Sequence, residues 1–551
     1  MSECIDPVLL EILRNQLESV AEEMGQVLIR SAYSPNIKER QDCSTALFDA
    51  DGLMVAQAEH IPVHLGAMPQ AVEAVRGRNP QSGDAFLLND PFAGGTHLPD
   101  ITIVSPVAPR GEILGYAVTR AHHADVGGMT PGSMPADSTE IYQEGVRLPG
   151  VRLRAAGKTN TDVLELLLAN VRNSAERRAD IQAQLAANDR AETRLGDLLD
   201  EHGEVRVLEA FDAVVAYSRT RIETEIESFP DGTYTAREVL EGDGVTEADI
   251  PIEARVTVDG PSITVDFEGT APQVAGNMNA PLAVAKSAVY FVVRSVTDPS
   301  IPPNHGCYQP VTVTAPEGTV LNPRPPAAVV GGNVETSQRV MDAVFAAFAE
   351  AVPDRIPAQS QGTMNNVIIG TRDGEGFTYY ETIGGGFGAR SSKDGMDGVQ
   401  VGMTNTLNTP IEALENEYPL RIDTYALRTD SGGVGTYRGG LGLVREITVL
   451  TDAVVSLLTE RRRHAPRGMV GGEAGAKGEN YIGNKSVSAK TTVDVPAGTT
   501  ITICTPGGGG YGDPANRSQD ARLEDNRDGK IVDPEATMTT RNSTTKETYD
   551  N

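Results

Sequence analysis

Residues 89–128 read NDPFAGGTHLPDITIVSPVAPRGEILGYAVTRAHHADVGG, and the first part of the chain is organised around this stretch. It holds three of the eight histidines of the protein, together with aspartates, on both sides of a strand-like run. Histidines and aspartates gathered in this way are typical of metal-binding sites. The residues concerned are His97, His122 and His123, with Asp90, Asp100 and Asp125 interleaved.

Two β-strands are predicted within this stretch. Residues 101–107 and 113–120 are rich in β-branched side chains, and residues 108–112 (APRGE) between them have the composition of a hairpin loop. Antiparallel pairing about this loop sets Val107 opposite Ile113. The stretch is therefore predicted to fold as a β-hairpin with both polar clusters at its open end.

The predicted pairing brings potential metal ligands together. Counting outward from the loop, His122 falls opposite Leu98. His97 and Asp100 then lie on either side of Leu98, within about 7 Å of His122. Two imidazoles and one carboxylate are therefore expected to converge at the end of the hairpin.

A site of this composition suits Zn, Mn or Fe(II) with one position left open for water. A closed structural zinc site would bring cysteine ligands, which this stretch lacks. The alternative is that each histidine only makes hydrogen bonds, His97 in a loop and His122 at a strand end. For any one histidine that interpretation is the more common, and the metal site is favoured only by their convergence. Glycines that let the backbone wrap closely round a ligand flank both clusters, at Gly94, Gly95, Gly127 and Gly128.

Length and composition narrow the class of protein. A chain of 551 residues exceeds one compact core, so several subdomains are expected. The net charge of -29 disfavours binding to nucleic acid. No charge-free apolar run approaches the roughly 20 residues of a membrane span, and the first residues do not resemble a signal peptide. We expect no membrane association and a cytoplasmic location. The four cysteines form no CxxC pair, which argues against a disulfide framework or a thiolate zinc site.

The region before the histidine cluster is predicted to start with a helix. Asp6 and Pro7 have the pattern of an N-cap and first helical residue, and apolar residues then recur at three-to-four spacing for about six or seven turns. Two strands follow, around the turn at residues 49–52. His60 and His64 come after the second strand, where Pro62 favours a loop, and we expect them near the site without binding a metal.

The rest of the chain suggests an α+β protein of several subdomains. We expect an N-terminal metal-binding α/β region, then a long helical hairpin, a mixed α/β region with a meander of strands, and a β-rich C-terminal region. The polar tail is expected to be partly disordered. The predicted boundaries are residues 1–160, 161–229, 230–419, 420–515 and 516–551.

Two glycine-containing motifs resemble nucleotide-binding sequences without matching them. Residues 156–159 (AGKT) end like a P-loop, but Arg152 stands where the phosphate cradle needs glycine. Residues 384–389 (GGGFGA) match GxGxxA, yet the next residues along the chain do not open a helix, so a flexible lid or substrate loop is expected instead. For the glycines at 507–510 a tight turn is the simplest interpretation.

The segments NDPFAGGTHLPDIT and AHHADVGG resemble the hydantoinase B and oxoprolinase family. The resemblance covers nearly the whole chain, through the opening residues 6–49 and the segments GGNVETSQRV, YYETIGGGFGAR and TPGGGGYGDP. The family supplies one subunit of ATP-dependent N-methylhydantoinases, 5-oxoprolinases and caprolactam-opening lactamases, and of the related acetone and acetophenone carboxylases.

The resemblance implies a set of ligands and a partner. One divalent transition metal, Zn, Mn or Fe, would be held by His97, Asp100, His122 and Asp42. Taken alone, Asp42 is more simply a salt-bridge partner of Arg40 or Lys38. ATP would be bound by a separate partner, an ATPase subunit of the hydantoinase A type, so a hetero-oligomer is expected.

The favoured function is the metal-bearing subunit of an ATP-dependent cyclic amide hydrolase, which opens a small hydantoin or lactam ring that the partner activates by phosphorylation. His123 and Asp125 are expected to act beside the metal as catalytic residues of an outer layer, because adjacent residues of a strand point to opposite sides. Two alternatives stay open: a subunit of an ATP-dependent ketone carboxylase, and a non-catalytic scaffold that has lost its metal.

Overall fold

The computed structural model describes residues 5–372 and 376–532. It contains long helices and several separate sheets, which confirms the predicted α+β class. The helices are α1 Pro7–Ser31, α2 Pro35–Lys38, α3 Met68–Arg76, α4 Thr161–Leu168, α5 Ser174–His202, α6 Glu204–Ile226, α7 Leu282–Val296, α8 His305–Tyr308, α9 Ser337–Phe348, α10 Ile411–Glu417 and α11 Gln519–Arg527. Short 3₁₀ turns cover Pro62–His64, Pro131–Ser133, Ile141–Gln143, Pro353–Arg355 and Pro514–Asn516, and a π-helical turn covers Gly332–Thr336.

The first sheet carries the histidine cluster. It has seven strands in the described part, in the order β2-β1-β5-β4-β3-β6-β7. Helices α1 and α5 cover one face, while α3 packs on the other, within a larger hydrophobic core. Since both faces are buried, the hairpin strands are buried along their whole length. The strands are β1 Cys43–Asp49, β2 Met54–Glu59, β3 Ala85–Leu88, β4 Asp100–Val107, β5 Gly115–His122, β6 Pro149–Ala155 and β7 Lys158–Thr159.

Local sequence signals account for the first elements. The Asp6 carboxylate accepts a hydrogen bond from the backbone N–H of Val8, and Pro7 opens α1, as the sequence predicts. Strands β1 and β2 pair about residues 50–53, which confirms the first predicted hairpin. Residues 156–159, which resembled the end of a P-loop, form only the turn and second strand of the β6–β7 hairpin.

The predicted helical hairpin at 161–229 forms three helices. An interruption at residues 169–173 separates α4 from α5, and Asn173 there adopts a left-handed backbone conformation with φ of 53°. Helix α5 shares its core with α1, and the end of α6 enters the core under the second sheet. These helices therefore join the neighbouring sheets, and the predicted domain boundaries stay a prediction.

The second sheet has the order β11-β10-β9-β8 in the described part and packs on α7 and α9 in the largest hydrophobic core. Its meander follows the predicted alternation of buried and exposed residues, most clearly in β9. The strands are β8 Gly232–Glu241, β9 Asp249–Asp259, β10 Ser262–Asp266 and β11 Val311–Thr314.

Two further sheets contain the strands of the predicted β-rich region 420–515, and the first of them also takes in β12 and β13 from the predicted mixed region 230–419. One has the order β13-β12-β16-β19 and the other β14-β15-β20-β17-β18, and a common core lies between them. The strands are β12 Asn366–Gly370, β13 Thr378–Thr382, β14 Leu420–Leu427, β15 Leu443–Val449, β16 Ala453–Leu458, β17 Glu479–Ile482, β18 Lys485–Ser486, β19 Lys490–Val495 and β20 Thr500–Cys504.

The glycine-rich segments pack against one another. The N–H of Gly386 donates to Pro506 O, that of Gly440 to Phe387 O, and that of Gly508 to Gly440 O, at 2.8–3.0 Å. A Cβ atom at Gly440 would lie 1.9 Å from Met396 O, so only glycine permits this approach. The prediction of a flexible lid at residues 384–389 is therefore wrong, since the backbone of this segment is held by hydrogen bonds to neighbouring segments, while its alternative role as a substrate loop stays a prediction.

The first part of the tail, which was predicted to be partly disordered, contains a helix. Residues 519–527 form α11, where the Ser518 hydroxyl accepts a hydrogen bond from Ala521 N. The buried carboxylate of Asp525 pairs with Arg438 at 3.3 Å and Arg517 at 2.5 Å. These ion pairs attach the helix to the glycine-rich region. Residues 533–551 lie outside the described part.

Candidate metal centre

The hairpin at the centre of the site forms as predicted but with a different register. Val107 pairs with Gly115, and His122 pairs directly with Asp100. The predicted register was wrong by two residues because the connection is longer than residues 108–112, and Leu114 still closes it by donating to Val107 O. A shift of two preserves the face on which each side chain lies. His122 and Asp100 therefore meet on one face of the sheet.

Three buried side chains converge at this end of the hairpin. One ligand atom each from His97, Asp100 and His122 lie within 4.8 Å of one another. The Nε2 atom of His97 is 3.2 Å from Oδ1 of Asp100, and the two imidazole rings have centroids 5.1 Å apart. None of the three is more than 3% exposed. The convergence expected from the sequence is thus present.

The atoms that face each other lack hydrogen-bond partners. His97 Nε2, Asp100 Oδ1 and His122 Nε2 are all buried, and none accepts or donates a hydrogen bond within the described residues. Leaving buried polar atoms unpaired costs about 1–3 kcal/mol each, so such atoms need an explanation. A divalent cation among the three would satisfy them together, and two imidazoles with one carboxylate suit it chemically.

Neighbouring groups fix the orientation of two of these side chains. The Nδ1 atom of His97 lies 3.4 Å from Val330 O, and since a carbonyl only accepts, Nδ1 carries the proton and Nε2 keeps a free lone pair. Oδ2 of Asp100 accepts from the Thr96 hydroxyl at 2.6 Å and from Nδ2 of Asn333 at 3.2 Å. Oδ1 of Asp100 is thereby left to face the histidines. Such second-layer contacts are usual around metal ligands.

His122 is held by residues that precede β1. Nδ2 of Asn36 lies 3.2 Å from His122 Nδ1, and Arg40 donates to Asn36 Oδ1 at 3.0 Å. The ring also stacks on Tyr380, with centroids 4.5 Å apart. In this arrangement Nδ1 accepts a hydrogen bond from the Asn36 amide. Metal binding through Nε2 would place a proton on Nδ1 and require the Asn36 amide to present its oxygen instead.

Burial and charge set the protonation of the cluster. Burial disfavours the imidazolium form and lowers the pKa of His122 well below its usual value, and the neighbouring His97 acts in the same direction. For Asp100, burial alone would raise the pKa, but the interactions of its carboxylate with His97 and His64 outweigh burial and hold the pKa well below the usual value. A metal ion binds imidazole in its neutral form and carboxylate in its ionised form, so these protonation states suit metal binding.

Asp42 and His64 line the same small cavity, whose volume is about 20 Å³. Asp42 lies outside the group of three, and its backbone carbonyl accepts a hydrogen bond from His122 N at 3.0 Å. Burial raises the pKa of the Asp42 carboxyl to about 6, although Arg40 opposes the shift. The role of Asp42 as a fourth ligand stays a prediction.

His64 lies near the site, as expected, in a 3₁₀ turn rather than a helix. Its Nδ1 atom hydrogen-bonds the Ser44 hydroxyl at 2.9 Å, and its Nε2 atom lies 3.6 Å from Oδ2 of Asp100. His60 instead lies against Gly25 of α1, where an added Cβ would be 3.1 Å from its ring.

His123 points away from the cluster, toward α5. Its Nε2 atom lies 3.0 Å from Oε1 of Gln184, and because Gln184 Nε2 donates to Ile101 O, the amide oxygen faces the histidine as an acceptor. Burial lowers the pKa of His123 to about 4. His123 therefore connects the hairpin to α5 behind the site, and its predicted catalytic role stays a prediction.

Asp125 shapes the loop that follows β5. Its Oδ1 atom accepts from the backbone N–H groups of Gly127 and Arg172, both at 2.9 Å. Its Oδ2 atom accepts from Gly132 N at 2.9 Å and from the Arg172 guanidinium at 3.0 Å. Both oxygens of the carboxylate are thus engaged by its own loop and by Arg172, and a direct catalytic part for Asp125 also stays a prediction.

Sequence reasoning did not find Asn36, Asn333 or Tyr380 at the site. Asn333 lies in the π-helical turn that precedes α9, and such turns are frequent at functional sites. The sequence did mark two of these residues indirectly. Asn333 lies in GGNVETSQRV and Tyr380 lies in YYETIGGGFGAR, and both segments carry the family resemblance. Their contact with the hairpin depends on how distant segments pack.

The fold and the centre together define a class: a protein of mixed helices and sheets with a buried histidine–aspartate site suited to a metal ion. Within that class, the chain belongs to the hydantoinase B/oxoprolinase family, whose model matches residues 6–514. None of the helices in residues 5–372 and 376–532 is both long and apolar enough to cross a membrane.

Relatives of two lengths match the chain. It is 40% identical over 540 residues to 5-oxoprolinase 1 of Arabidopsis thaliana, covering 92% of this chain but only 42% of the plant protein. It is 33% identical over 564 residues to the putative B component of a D-/L-hydantoinase from a Pseudomonas strain, covering 97% of this chain and 94% of that protein. The chain therefore spans under half of the plant 5-oxoprolinase and nearly all of the hydantoinase component.

Solved structures share the fold. The ATP-dependent caprolactamase of Pseudomonas jessenii superposes with a TM-score of 0.90 at 30% identity, over 96% of this chain and 95% of that chain. A nucleotide-free acetone carboxylase has a TM-score of 0.86 at 19% identity, over 97% of this chain and 79% of that chain, and this likeness concerns the fold alone.

Proposed function

We propose that the protein is the metal-bearing subunit of an ATP-dependent cyclic amide hydrolase that opens a hydantoin, 5-oxoproline or another lactam. The observation that carries the proposal is the group of three buried, unpaired ligand atoms of His97, Asp100 and His122 within 4.8 Å. Membership of the family supports the reaction class. The near-complete overlap with a caprolactamase chain supports a hydrolase over a carboxylase.

The residues of the chain would act by holding and orienting. His97, Asp100 and His122 would bind one divalent ion, Zn, Mn or Fe, with Asp42 as the fourth ligand. When bound, such an ion supplies Lewis-acid activation of a carbonyl group or of water. Thr96 and Asn333 keep Oδ1 of Asp100 turned inward.

The surroundings of the site would exclude bulk water. The cluster is buried, and the cavity of about 20 Å³ holds no more than a water-sized group. A lactam ring therefore requires a wider form of this cavity, whose lining includes Thr404 and Thr406. Exclusion of water strengthens the interactions of charged groups in the site.

ATP would be used by a partner protein. The P-loop-like residues 156–159 form a β-hairpin turn, which offers no phosphate cradle. We propose a hydantoinase A-type ATPase subunit that phosphorylates the cyclic amide, with the two chains forming a hetero-oligomer. The purified chain alone should not hydrolyse ATP, and robust ATPase activity by this chain would contradict the arrangement.

Elemental analysis of variants tests the centre directly. His97→Ala and His122→Ala should each lose the bound metal and abolish ring opening in the reconstituted complex, while the partner still binds. His202→Ala is the matched control, because His202 hydrogen-bonds Gln16 at 2.9 Å at the C-terminal end of α5, roughly 27 Å along the helix from Gln184. His123→Ala should keep the metal and lose less activity.

Three outcomes would contradict the proposal. Full metal retention and activity in both His97→Ala and His122→Ala would exclude a metal centre at these residues. Bicarbonate uptake that depends on a ketone substrate, without opening of hydantoin, 5-oxoproline or caprolactam, would replace the hydrolase with a carboxylase. A complex that binds its partner but contains no metal and transforms no substrate would indicate the scaffold.

A further inference from the structure

A second cavity, of about 370 Å³, lies between the helices α7 and α9 and the glycine-rich segment. Its volume is in the range of sites for small molecules. It shares no lining residue with the small cavity at the metal centre. From Asn333 at that centre to Met341 in the wall of the second cavity is roughly 12 Å along the helix. The two cavities are therefore separate features of the fold.

Charge is unevenly distributed around the second cavity. Three arginines line it, Arg355, Arg390 and Arg467, with Asp342 as the one lining carboxylate among the described residues. Asp342 is already paired, because its Oδ2 atom accepts from Arg339 at 2.8 Å and from Arg461 at 2.5 Å. Within the described lining, no carboxylate is therefore available to pair with the three arginines.

Two of the three arginines have acidic partners. Arg467 pairs with Glu238, and Arg355 lies 3.4 Å from Glu225 and donates to Val296 O at 2.6 Å. These contacts orient the guanidinium groups and reduce what they can offer to a ligand. The side chains of Arg355 and Arg467 are therefore already engaged by the protein's own carboxylates.

Arg390 differs from both. No carboxylate pairs with it in the described part of the chain, and its Nε atom is buried without a hydrogen-bond partner. Its guanidinium carbon lies 5.3 Å from the centre of the Phe387 ring. A guanidinium with one face on an aromatic ring still presents its N–H groups at the edge, in a fork that matches a carboxylate or phosphate.

Much of the remaining lining is apolar. Phe291, Phe345, Ile356 and Met469 contribute to it, and α9 with the residue after it adds Ala346 and Ala349. A cavity that combines one unpaired cation with apolar walls selects a ligand with an acidic head and an apolar body. We propose that this cavity binds a small organic anion whose carboxylate or phosphate head is held by Arg390.

The site is independent of the metal centre, and its test does not use ring opening. Hexanoate, hexyl phosphate and uncharged hexanamide are titrated into the full chain by calorimetry and ligand-observed NMR. At least one anion should bind about tenfold more tightly than hexanamide, because a charge-assisted hydrogen-bonded pair is replaced by a neutral contact. The tighter of the two anions identifies the head group.

Variants locate the binding. Arg390→Gln removes the cation and should weaken anion binding about tenfold or more, while Arg390→Lys keeps the charge without the fork and should fall between. Ala346→Leu fills the apolar part and should weaken binding without a change of charge. Arg372→Gln is the matched control, since Arg372 is an exposed arginine paired with Asp494 at 2.9 Å, and it should bind as the unaltered chain does.

Metal content and thermal unfolding are measured for every variant, so that loss of folding is separated from loss of binding. If Arg390→Gln does not fold, Arg390→Lys and Ala346→Leu decide the question. Equal affinity for hexanamide and the anions, or anion binding unchanged in all folded variants, would overturn the proposal. The proposal would also be overturned if neither hexanoate nor hexyl phosphate bound the unaltered chain at millimolar concentration.

Discussion

Replacement of Glu335 by glutamine should change how the stability of the protein depends on pH. Glu335 is fully buried in the π-helical turn beside Asn333. Its Oε1 atom accepts from Met364 N at 3.0 Å and from Asn366 Nδ2 at 2.8 Å, whereas Oε2 has no partner among the described residues. Burial, reinforced by the nearby charge of Glu460, raises the pKa of Glu335 from 4.5 to about 8.

The sign and size of the effect follow from this shift. A carboxyl whose pKa is raised on folding stabilises the folded state fully below pH 4.5, and that contribution is lost as pH rises through about 8. The whole shift corresponds to about 5 kcal/mol, of which about 4 kcal/mol should be lost between pH 5 and pH 9. Glutamine keeps the acceptor and never ionises, so Glu335→Gln should gain relative stability as pH rises.

Urea unfolding followed by circular dichroism at pH 5, 7 and 9 measures the difference. The unaltered chain and Glu335→Gln should be close at pH 5, and the variant should unfold at clearly higher urea at pH 9. Glu317→Gln is the control, because Glu317 is an exposed glutamate paired with Arg324 at 3.1 Å. If the midpoints of the chain and of Glu335→Gln run parallel from pH 5 to pH 9, the reasoning about Glu335 is refuted.

Two further results are expected. Gly440→Ala should prevent stable folding, because the added Cβ would lie 1.9 Å from Met396 O. Gly196→Ala in α5 is the control and should stabilise the protein by up to about 1 kcal/mol. Thermal unfolding measures both, and a Gly440→Ala protein as stable as the unaltered chain would contradict the close packing inferred for the glycine-rich segments. In Asn36→Asp the new carboxylate can only accept a hydrogen bond from His122 Nδ1, which keeps the proton on Nδ1 and leaves Nε2 free to bind a metal. The affinity for metal, measured by competitive chelator titration, should therefore rise about tenfold. A fall in affinity would show that His122 is not oriented as we infer.

The sequence alone determined the features that depend on local periodicity. The Asp6–Pro7 signal and the spacing of apolar residues specify α1, and the two β-branched runs specify the hairpin. Because side chains alternate along a strand, His122 and Asp100 share a face even when the register is misjudged by two residues. That alternation is why the convergence of the three candidate ligands could be expected in advance.

The tertiary structure alone decided what surrounds those ligands. Asn36, Asn333 and Tyr380 reach the hairpin from segments far apart in the chain, and no short-range pattern encodes which side chain meets another when sheets pack. The composition of the sequence reveals the glycine-rich segments, but their burial depends on backbone hydrogen bonds between segments that are far apart in the chain. Arg390 became distinctive only once packing had supplied acidic partners to the other arginines of its cavity and none to it within the described residues. The reason is physical: local dihedral preferences act over a few residues, whereas pairing and burial are decided by the whole packed chain.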